Sequence, residues 1–507
     1  MKLFRPWVTI IFSLIILSSI NSCKQNDKKP NIIFFFVDDM GWQDTSVPFY
    51  TEKTNLNETY HTPNMERMAE AGMKFTQAYA CAVCSPSRIS LMTGMNAARH
   101  QVTNWTLRKD KSPDPKHKII TPPEWNMNGL SPNEETGRTI KAVTLPQLLK
   151  EAGYRTIHVG KAHFGAVGTP GANPINLGFD VNIAGHAAGG PGSYYGKYNF
   201  SAEWRKADRI WDIPGLEKYH GQDIYLTEAL TIEANKEIDS AVHDNTPFYL
   251  YMSHYAIHAP WEKDNRYYQK YIDAGLNEFN AAYASMIEGM DKSLGDIISN
   301  VEKHGISQNT IIVFMSDNGQ PKQASKNRPL RGHKLTPYEG GVRVPLIVKW
   351  PGIISPGINS KNYVIIEDIF PTFLEIAGVD YKSKVSQHID GVSFVPLIKK
   401  VDQKESDRPI FWHFPHTYDQ PPYSSIRKGN WKLIYHHIDQ SLELFNLEKD
   451  ISENENLVER EEQKVNELTV ILSDFLRETE AGMPFYNKDH KKVPYPDEVV
   501  KEVDSRQ

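Results

Sequence analysis

Two short acidic motifs follow apolar runs at distant points of the chain. Asp38 and Asp39 come directly after the run 31–37, and Asp317 and Asn318 follow the sequence TIIVFMS. Such runs are typical of strands buried in a parallel sheet, and ligands bind at the carboxyl ends of these strands. Either motif alone is more often a turn. Three carboxylates and an amide at one edge would repel each other without a cation, so the pair predicts a site for Ca²⁺ or Mg²⁺.

The segment CAVCSPSRISLMTG, 81–94, places a cysteine at a predicted helix start. Ser85 can cap this helix and Pro86 suits its first turn. Cys84 and Arg88 then lie where the helix dipole favours an anion. A thiol is a poor ligand for a hard cation, whereas an oxygen nucleophile would fit beside the predicted metal. The C-A-V-C spacing could also mark a redox pair or half a zinc site, but the chain has no second cysteine pair to complete zinc coordination.

Apolar runs and helical patterns alternate through most of the chain. This alternation predicts an α/β fold, with a large, mostly parallel sheet flanked by helices. The predicted strands are 31–37, 154–160, 246–254, 310–317 and 344–350. The predicted helices are 61–72, 144–153, 277–304 and 367–378.

The composition changes near residue 400, where short strands with tight turns replace the longer runs. We predict strands within 408–414, 424–437 and 442–447, then a charged helix at about 461–479 and a polar tail from about 484. These elements predict a small C-terminal subdomain of an antiparallel sheet with one helix. The chain then divides into a catalytic α/β domain, 31–400, and a C-terminal α+β subdomain with tail, 401–507.

The first residues are expected to be a targeting segment and not part of the fold. A positively charged start precedes the apolar run 7–20, which ends in I-N-S-C at Cys23. This predicts a lipoprotein signal peptide over 1–22, lipidation of Cys23 and a polar tether over 23–30. Simple secretion is the alternative. The protein is therefore expected to be exported and anchored in a bacterial membrane, the outer membrane on its periplasmic or surface side.

Length and composition bound the remaining possibilities. The chain has 507 residues, 40% of them hydrophobic and 23% charged, which is typical of a globular protein with more than one structural unit. A net charge of −5 argues against a general nucleic-acid binder. The three cysteines, Cys23, Cys81 and Cys84, are too few for a disulfide framework.

The sequence C-S-P-S-R at 84–88, followed by ISLMTG, resembles the signature of the type I, formylglycine-dependent sulfatases of the alkaline phosphatase-like superfamily. The resemblance covers nearly the whole chain after the signal peptide and extends to bacterial polysaccharide sulfatases. Ala162 departs from the family pattern, which usually has Trp there. The other motifs that resemble this family are VDDMGWQD (37–44), GKAHFG (160–165), AIHAP (256–260), SDNG (316–319), LRGHKLTPYEGGVRVP (330–345), IRKGNWKLI (426–434) and ELFNLEKD (443–450).

The resemblance implies a modified nucleophile and a bound metal. A maturation enzyme would oxidise Cys84 to formylglycine (3-oxoalanine), whose hydrate attacks sulfur and forms a covalent sulfate ester. One Ca²⁺ would activate the hydrate and neutralise sulfate charge. Its implied ligands are residue 84 itself, Asp38, Asp39, Asp317 and Asn318.

The resemblance also implies roles for five basic side chains. Arg88 and His163 would stabilise the hydrate and help to deprotonate it. Lys161, His258 and Lys334 would hold the sulfate oxygens, with His258 as the proton donor to the leaving alcohol. His163 would be the base that lets the aldehyde re-form and sulfate leave. Taken singly, each of these residues could be an ordinary surface lysine or packed histidine.

The substrate is a sulfated oligo- or polysaccharide according to the same resemblance. The segment 178–196 lies where the family builds the pocket beyond the sulfate, which makes His186 a candidate contact to a sugar hydroxyl. Trp105 is a candidate stacking platform, and His413 and His416 are candidates from the C-terminal subdomain. Loop packing is at least as good an explanation for all four. The implied substrates are algal galactan or ulvan, glycosaminoglycan or mucin glycans.

Two other functions are compatible with parts of this pattern. A phosphoester or phosphonate hydrolase of the same superfamily would share the sheet and the metal site, but would not need C-S-P-S-R. A catalytically dead, lipid-anchored glycan-binding protein would share the fold, but every expected catalytic position is occupied.

Overall fold

The computed structural model describes residues 28–324, 329–399 and 407–504, with the backbone alone for 501–504. Cys23 and the predicted signal peptide lie outside the described residues. Within the described ranges, no helix combines the length and the apolar character needed to cross a membrane.

One eight-stranded sheet forms the centre of the molecule. Its strands, numbered in chain order, are β1 (Asn31–Val37), β2 (Met73–Tyr79), β3 (Arg155–Gly160), β4 (Val181–Ile183), β5 (Phe248–Ser253), β6 (Thr310–Ser316), β7 (Arg343–Lys349) and β8 (Ile358–Ile365). Their spatial order is β8-β2-β7-β6-β1-β5-β3-β4. Every pairing is parallel except the two that β7 makes. The prediction of a large, mostly parallel sheet is confirmed.

The direction of β7 differs from that of its neighbours, although its apolar sequence is typical of a parallel strand. β7 begins beside the end of β6, because Leu346 pairs with Met315 and Lys349 with Ile312. The chain between the two strands thus returns from the carboxyl edge of the sheet without crossing to the opposite edge. A parallel strand would require a crossover to that opposite edge.

Both faces of the sheet are covered. Alternate residues of β1 belong to two separate hydrophobic clusters, Phe34 to one and Phe35 to the other, which explains the continuous apolar sequence of this strand. The α-helices are Asn55–Thr59, Pro63–Glu70, Cys84–Thr93, Ala97–His100, Leu145–Glu151, Leu226–His243, Tyr268–Asp273, Glu278–Lys303, Glu339–Val342, Ile369–Ile376, Val395–Lys399, Glu462–Glu478 and Pro496–Asp504. Short 3-10 helices are Pro170–Ala172, Pro174–Leu177, Gly196–Tyr198, Glu203–Arg205, Arg209–Trp211, Glu217–Tyr219, Ser307–Asn309 and Ile366–Asp368.

A four-stranded antiparallel sheet near the C-terminus confirms the predicted subdomain. Its strands, in spatial as well as chain order, are β9 (Ile410–Phe414), β10 (Tyr423–Lys428), β11 (Trp431–His436) and β12 (Leu442–Asn446). The helix Glu462–Glu478 packs on it through Leu468, Leu472 and Leu476, which are fully buried.

The expectation of a polar tail from about residue 484 is wrong. Residues Phe485–Tyr486 pair with Ile120–Thr121 as a two-stranded ladder, and the helix Pro496–Asp504 packs against Glu462–Glu478. Val493 is buried in the same cluster as the C-terminal sheet. A few apolar side chains in a charged sequence therefore suffice to order this segment. A second short ladder joins Leu130–Ser131 to Ile140–Lys141.

Candidate active site

Two adjacent strands place four oxygen-bearing side chains at one edge of the sheet. β1 and β6 are parallel neighbours whose last residues lie side by side, so the residues that follow them emerge together. Asp38, Asp317 and Asn318 are fully buried and Asp39 is nearly so. The Asp39 backbone N–H donates to Asp317 Oδ1 at 3.1 Å, and Asn318 Nδ2 donates to Asp39 Oδ1 at 2.7 Å. The two acidic motifs thus meet, as their positions after parallel strands predict.

The helix Cys84–Thr93 presents its first residue to this edge. Cys84 is itself the first helical residue, so Ser85 lies within the helix and does not cap it. Cys84 Sγ and one carboxylate oxygen each from Asp38 and Asp317 lie within 4.8 Å of one another. Burial raises the pKa of the Cys84 thiol. A buried, neutral thiol is a weak nucleophile and a poor ligand for a hard cation. The position of residue 84 therefore suits an oxygen nucleophile better than a thiol.

The oxygen-bearing side chains fit a hard divalent cation. Among the described residues, Asp38 Oδ1 and Asn318 Oδ1 are buried without a hydrogen-bond partner. Burial and the neighbouring Asp317 raise the pKa of Asp38. Burial acts in the same direction on Asp39, but Lys334 and other basic groups outweigh it and hold its pKa well below the usual value. The unpartnered carboxylate oxygen of Asp38 and the unpartnered amide oxygen of Asn318 lie beside two further buried carboxylates. Ca²⁺ and Mg²⁺ bind donor sets of this kind.

Arg88 is held rigidly behind the acidic edge. It is fully buried, and its Nε and Nη2 atoms donate to Asp317 Oδ2 at 3.0 and 2.8 Å. Its Nη1 atom donates to Ser253 Oγ at 2.6 Å and to the Lys161 backbone oxygen at 3.2 Å. The guanidinium therefore has one fixed orientation, set by the ends of β3, β5 and β6.

Two lysines complete the positive surroundings. Lys161 Nζ lies 2.5 Å from Asp38 Oδ2, and Lys334 Nζ lies 2.5 Å from Asp39 Oδ1. Lys161 is fully buried, while 14% of the Lys334 side chain is exposed. Burial opposes the charged form of Lys334, but Asp39 outweighs it and raises the pKa of this ammonium group. Fixed ammonium groups beside a nucleophile position suit an anionic substrate group.

Two histidines with defined ring orientations face the same space. His163 Nε2 donates to the Thr106 backbone oxygen at 2.7 Å, which leaves Nδ1 as the basic nitrogen. His258 Nδ1 donates to the Ala259 backbone oxygen at 2.8 Å, and its Nε2 lies 3.9 Å from Asp39 Oδ2. Burial lowers the pKa of His163 well below its usual value and that of His258 to about 4. Both rings are thus neutral bases near pH 7 in the absence of an anion.

Two consecutive glycines pack directly against these rings. A Cβ atom on Gly189 would lie 2.4 Å from His163 Cε1, and one on Gly190 would lie 2.8 Å from His258 Nδ1. Neither position has room for a side chain unless a histidine moves. The glycine-rich insertion 165–215 therefore forms part of the wall of the site.

A cavity of about 370 Å³ opens over the polar edge. Asp39, Cys84, His163, His258 and Lys334 line it on one side. The structure therefore brings the predicted nucleophile, both histidines and one lysine to a common space. Asp38, Arg88, Lys161, Asp317 and Asn318 lie directly behind them, in contact with the lining residues or with one another.

The remaining walls of the cavity are rich in aromatic side chains. Trp105, a predicted stacking residue, lines it and packs edge-on against Tyr418, with ring centroids 5.4 Å apart. The cavity is also lined by residues that were not predicted as site residues, among them Tyr418, Asp419, Trp211 and Trp261. Trp211 ends a short 3-10 helix and the others lie in loops, so no periodic pattern marks them. The one available signal is the position of Trp261 directly after AIHAP.

Three of the predicted substrate residues lie elsewhere. The cavity lining formed by described residues does not include His186, His413 or His416. His413 is a buried residue of strand β9, and its ring lies between Ser424 Oγ at 2.8 Å and the Gly482 backbone oxygen at 3.0 Å. Both ring nitrogens of His413 therefore have protein partners.

His416 is a packed histidine as well. It is fully buried and bonds Thr103 Oγ1 at 2.7 Å and Asp114 Oδ2 at 2.8 Å. His186 contributes its backbone oxygen, which accepts from the His163 N–H at 3.1 Å, while burial lowers the pKa of its ring to about 4. The prediction that the side chains of His186, His413 and His416 contact the substrate is not supported by their positions.

Comparisons with known proteins place these observations in context. A family model described as Sulfatase matches residues 30–379, and one described as N-sulphoglucosamine sulphohydrolase, C-terminal, matches residues 333–481. A protein named Sulfatase from Formosa agariphila is 30% identical, with 96% of each chain covered. The N-acetylgalactosamine-6-sulfatase of Mus musculus is 33% identical over 76% of this chain and 69% of its own. The crystal structure of Ps i-CgsB in complex with k-i-k-neocarrahexaose superimposes with a TM-score of 0.72 at 26% identity, covering 94% of this chain and 98% of that one.

Proposed function

Because the chain belongs to the sulfatase family and is a sulfuric ester hydrolase, we propose that it removes sulfate from sugars with a formylglycine made from Cys84. The family is part of the alkaline phosphatase-like superfamily. The observation that carries the proposal is the position of Cys84. Its sulfur lies within 4.8 Å of carboxylate oxygens of Asp38 and Asp317, at a place where an oxygen nucleophile fits and a thiol does not.

The hydrate of formylglycine has the two hydroxyl groups that the reaction needs. One hydroxyl group loses its proton to water, and its oxygen attacks sulfur while the bond from sulfur to the sugar oxygen breaks, which leaves a sulfate ester on residue 84. The other hydroxyl then loses its proton, its oxygen forms the carbonyl bond, and sulfate leaves. Water adds to the aldehyde to restore the hydrate. His163 would take the proton in the second step, which the lack of a hydrogen-bond partner for its Nδ1 and its position in the cavity lining support.

Asp38, Asp39, Asp317 and Asn318 would hold the cation, which we propose to be Ca²⁺, together with an oxygen of modified residue 84. Bound there, it would make the hydrate more acidic and reduce the negative charge of the sulfate. The unpartnered Asp38 Oδ1 and Asn318 Oδ1 support this assignment. The chain itself supplies the remaining positive charge.

Lys161, Lys334 and His258 would bind the sulfate group. Arg88 is held by hydrogen bonds to Asp317 and Ser253 and would stabilise the attacking oxygen of residue 84. Lys161 and Lys334 now neutralise carboxylates at 2.5 Å, so their ammonium groups already lie at the polar edge. His258 Nε2 would donate a proton to the departing sugar oxygen. A sulfate nearby would raise the pKa of His258 and so favour the protonated ring that this step needs.

The cavity walls support a sugar as the leaving group. Trp105, Trp211, Trp261 and Tyr418 are large, flat apolar surfaces of the kind that pack against sugar rings, and Asp419 beside them can accept hydrogen bonds from hydroxyl groups. Three of the ten tryptophans in the chain line this one cavity. Relatives named for N-acetylgalactosamine 6-sulfate and crystallised with neocarrahexaose point to the same class. We propose a sulfated oligo- or polysaccharide as the substrate.

The test is a screen of matured protein on defined sulfated mono- and oligosaccharides, followed by sulfate release. Protein is co-produced with a formylglycine-generating enzyme, and 4-nitrophenyl sulfate and 4-nitrophenyl phosphate are included. Cys84→Ala, purified identically, is the control. We expect sulfate release from at least one sugar and little release of phosphate. Faster phosphate release would favour a phosphoester hydrolase, and tight glycan binding without turnover would favour a binding protein.

A further inference from the structure

The loop that follows β5, residues 255–263, has backbone carbonyl groups that accept hydrogen bonds from three buried tyrosines. Tyr194 Oη lies 2.6 Å from the Tyr255 oxygen and 2.8 Å from the His258 oxygen. Tyr195 Oη donates to the Lys263 oxygen at 2.8 Å, and Tyr225 Oη donates to the Glu262 oxygen at 2.6 Å. Tyr194 is fully buried, and 7% or less of the other two is exposed.

The three tyrosines support one another. The Tyr194 and Tyr225 rings stack at 5.4 Å with an interplanar angle of 17°, and Tyr195 packs edge-on against Tyr225 at 5.1 Å. The Leu226 backbone N–H donates to the Tyr194 backbone oxygen at 2.7 Å. The hydroxyl groups therefore come from one rigid cluster, formed by the glycine-rich insertion and the start of the helix Leu226–His243.

The carboxylate of Glu262, which belongs to the loop 255–263, also joins this loop to the segment that carries Tyr194. Glu262 accepts from Ser193 Oγ at 2.9 Å and from the Tyr194 N–H. Gly190, three residues before Ser193, packs against the His258 ring with no room for a Cβ atom. The insertion thus contacts His258 at its carbonyl oxygen and at its ring.

We propose that Tyr194 is the positioning residue for His258, and that it aims Nε2 at the departing sugar oxygen. The inference rests on the proposed function, in which His258 protonates that oxygen. Tyr194 fixes the backbone at both ends of the turn Tyr255–His258. The Ala259 oxygen, which accepts from His258 Nδ1 at 2.8 Å, then fixes the ring. Without the Tyr194 hydroxyl, the His258 carbonyl loses this donor, the Tyr255 carbonyl keeps the His258 N–H at 2.9 Å, and the turn can shift.

The test uses Tyr194→Phe and a series of aryl sulfates from 4-nitrophenyl to phenyl. A poor leaving group needs a proton from the enzyme and a good one does not. We expect kcat for phenyl sulfate, and for any sugar sulfate that the wild type accepts, to fall roughly 10- to 100-fold. We expect the 4-nitrophenyl ester to stay within about threefold of wild type, on the same scale. The dependence of the rate on leaving-group acidity thus becomes steeper.

Tyr154→Phe is the matched control, because Tyr154 is also buried and donates to a backbone oxygen, that of Pro30 at 2.9 Å, far from the cavity. It should leave the slope unchanged. In a His258→Ala background, Tyr194→Phe should have no further effect on the slope. Equal losses on good and poor leaving groups, or an unchanged slope in Tyr194→Phe, would overturn the assignment.

A crystal structure of Tyr194→Phe gives a second measurement that does not depend on turnover. We expect the His258 carbonyl and ring to be displaced relative to wild type, and an unmoved ring would contradict the proposal. Glu262→Gln weakens the hydrogen bonds that Ser193 and Tyr194 donate to this loop. It should likewise make the dependence of the rate on leaving-group acidity steeper. If the wild type releases sulfate from aryl esters but from no sugar, the proposed substrate class fails while the role of Tyr194 remains open to this test.

Discussion

At the scale of single residues, the site is a buried set of opposite charges with little freedom to rearrange. Arg88 and Lys161 are fully buried, and each pairs with a carboxylate that ends a strand. Lys334 pairs with Asp39 and also lines the cavity. Such fixed donors are effective because they need no reorganisation when charge develops on the substrate.

Lys334→Ala should therefore lower kcat/KM for sulfate esters by roughly 10²–10³-fold, the scale for losing one preorganised donor. Steady-state kinetics of matured protein is the measurement. Lys292→Ala is a suitable control, because Lys292 is an exposed residue paired with Asp296 on a helix surface. Activity of Lys334→Ala within threefold of wild type would remove Lys334 from the sulfate site.

The acidic residues of the site and Cys84 could be placed from the sequence because they follow strands or begin a helix, whereas the five basic side chains were assigned by the resemblance to the sulfatases. His413 and His416 could not be told from ligand contacts, because burial and partners such as Ser424 and Asp114 depend on distant parts of the chain. The same limit explains why Trp211 and Tyr418 were missed. Trp211 lies in a short 3-10 helix and Tyr418 in a loop, and tertiary packing sets the path of both segments.

At the scale of elements, the glycine-rich insertion is a close-fitting wall of the site. Gly189→Ala would place a methyl group 2.4 Å from His163 Cε1, so the ring must move. We expect kcat/KM to fall by more than about tenfold, since small misplacements of catalytic groups cost this much or more. Gly137→Ala is the matched control, because nothing lies within 4 Å of its Cβ position. Equal activity of the two variants would show that His163 tolerates displacement.

Element prediction succeeded where periodic apolar patterns were long. The helix predicted at 277–304 is Glu278–Lys303, and its start is fixed by Asn277, whose side chain accepts from the Asn280 N–H. The strands β2 and β8 were missed because their sequences mix polar and apolar residues near one edge of the sheet. The antiparallel direction of β7 depends on the path of the preceding loop, which local sequence does not determine.

At the scale of the whole molecule, a buried charge cluster joins the C-terminal sheet to the catalytic domain. Lys432 Nζ, fully buried on β11, lies 2.9 Å from Glu339 Oε1 and 3.0 Å from Glu453 Oε1. Glu339 belongs to the short helix that leads into β7. Lys432 thus links a carboxylate of the catalytic domain to one of the C-terminal subdomain.

Lys432→Met should destabilise the protein by about 3–5 kcal/mol, because it leaves the buried Glu453 without its cation and Glu339 with Arg343 at 3.2 Å. Urea unfolding monitored by fluorescence measures the change. Lys464→Ala, which removes a half-exposed partner of Glu467, should cost about 1 kcal/mol or less. Similar decreases in the free energy of unfolding of the two variants would show that the buried charge cluster stabilises the protein no more than a surface ion pair does.

We also predict how the molecule is located, from residues outside those described. If Cys23 is lipidated, wild-type protein will sediment with membranes, and Cys23→Ala will be released without loss of activity. Fractionation of cells that produce each form is the measurement. Recovery of the wild type entirely in the soluble periplasmic fraction would refute the anchor and favour simple secretion.

The most direct test of the central claim is mass spectrometry of the peptide that contains residue 84, combined with turnover of the same preparation. The account predicts that active protein carries formylglycine there, that sulfate release rises in proportion to the modified fraction, and that Cys84→Ser keeps its fold but loses most turnover. A serine ester with sulfate has no second hydroxyl through which to expel it. Unmodified Cys84 protein that hydrolyses sulfate esters at the rate of modified protein would contradict the account.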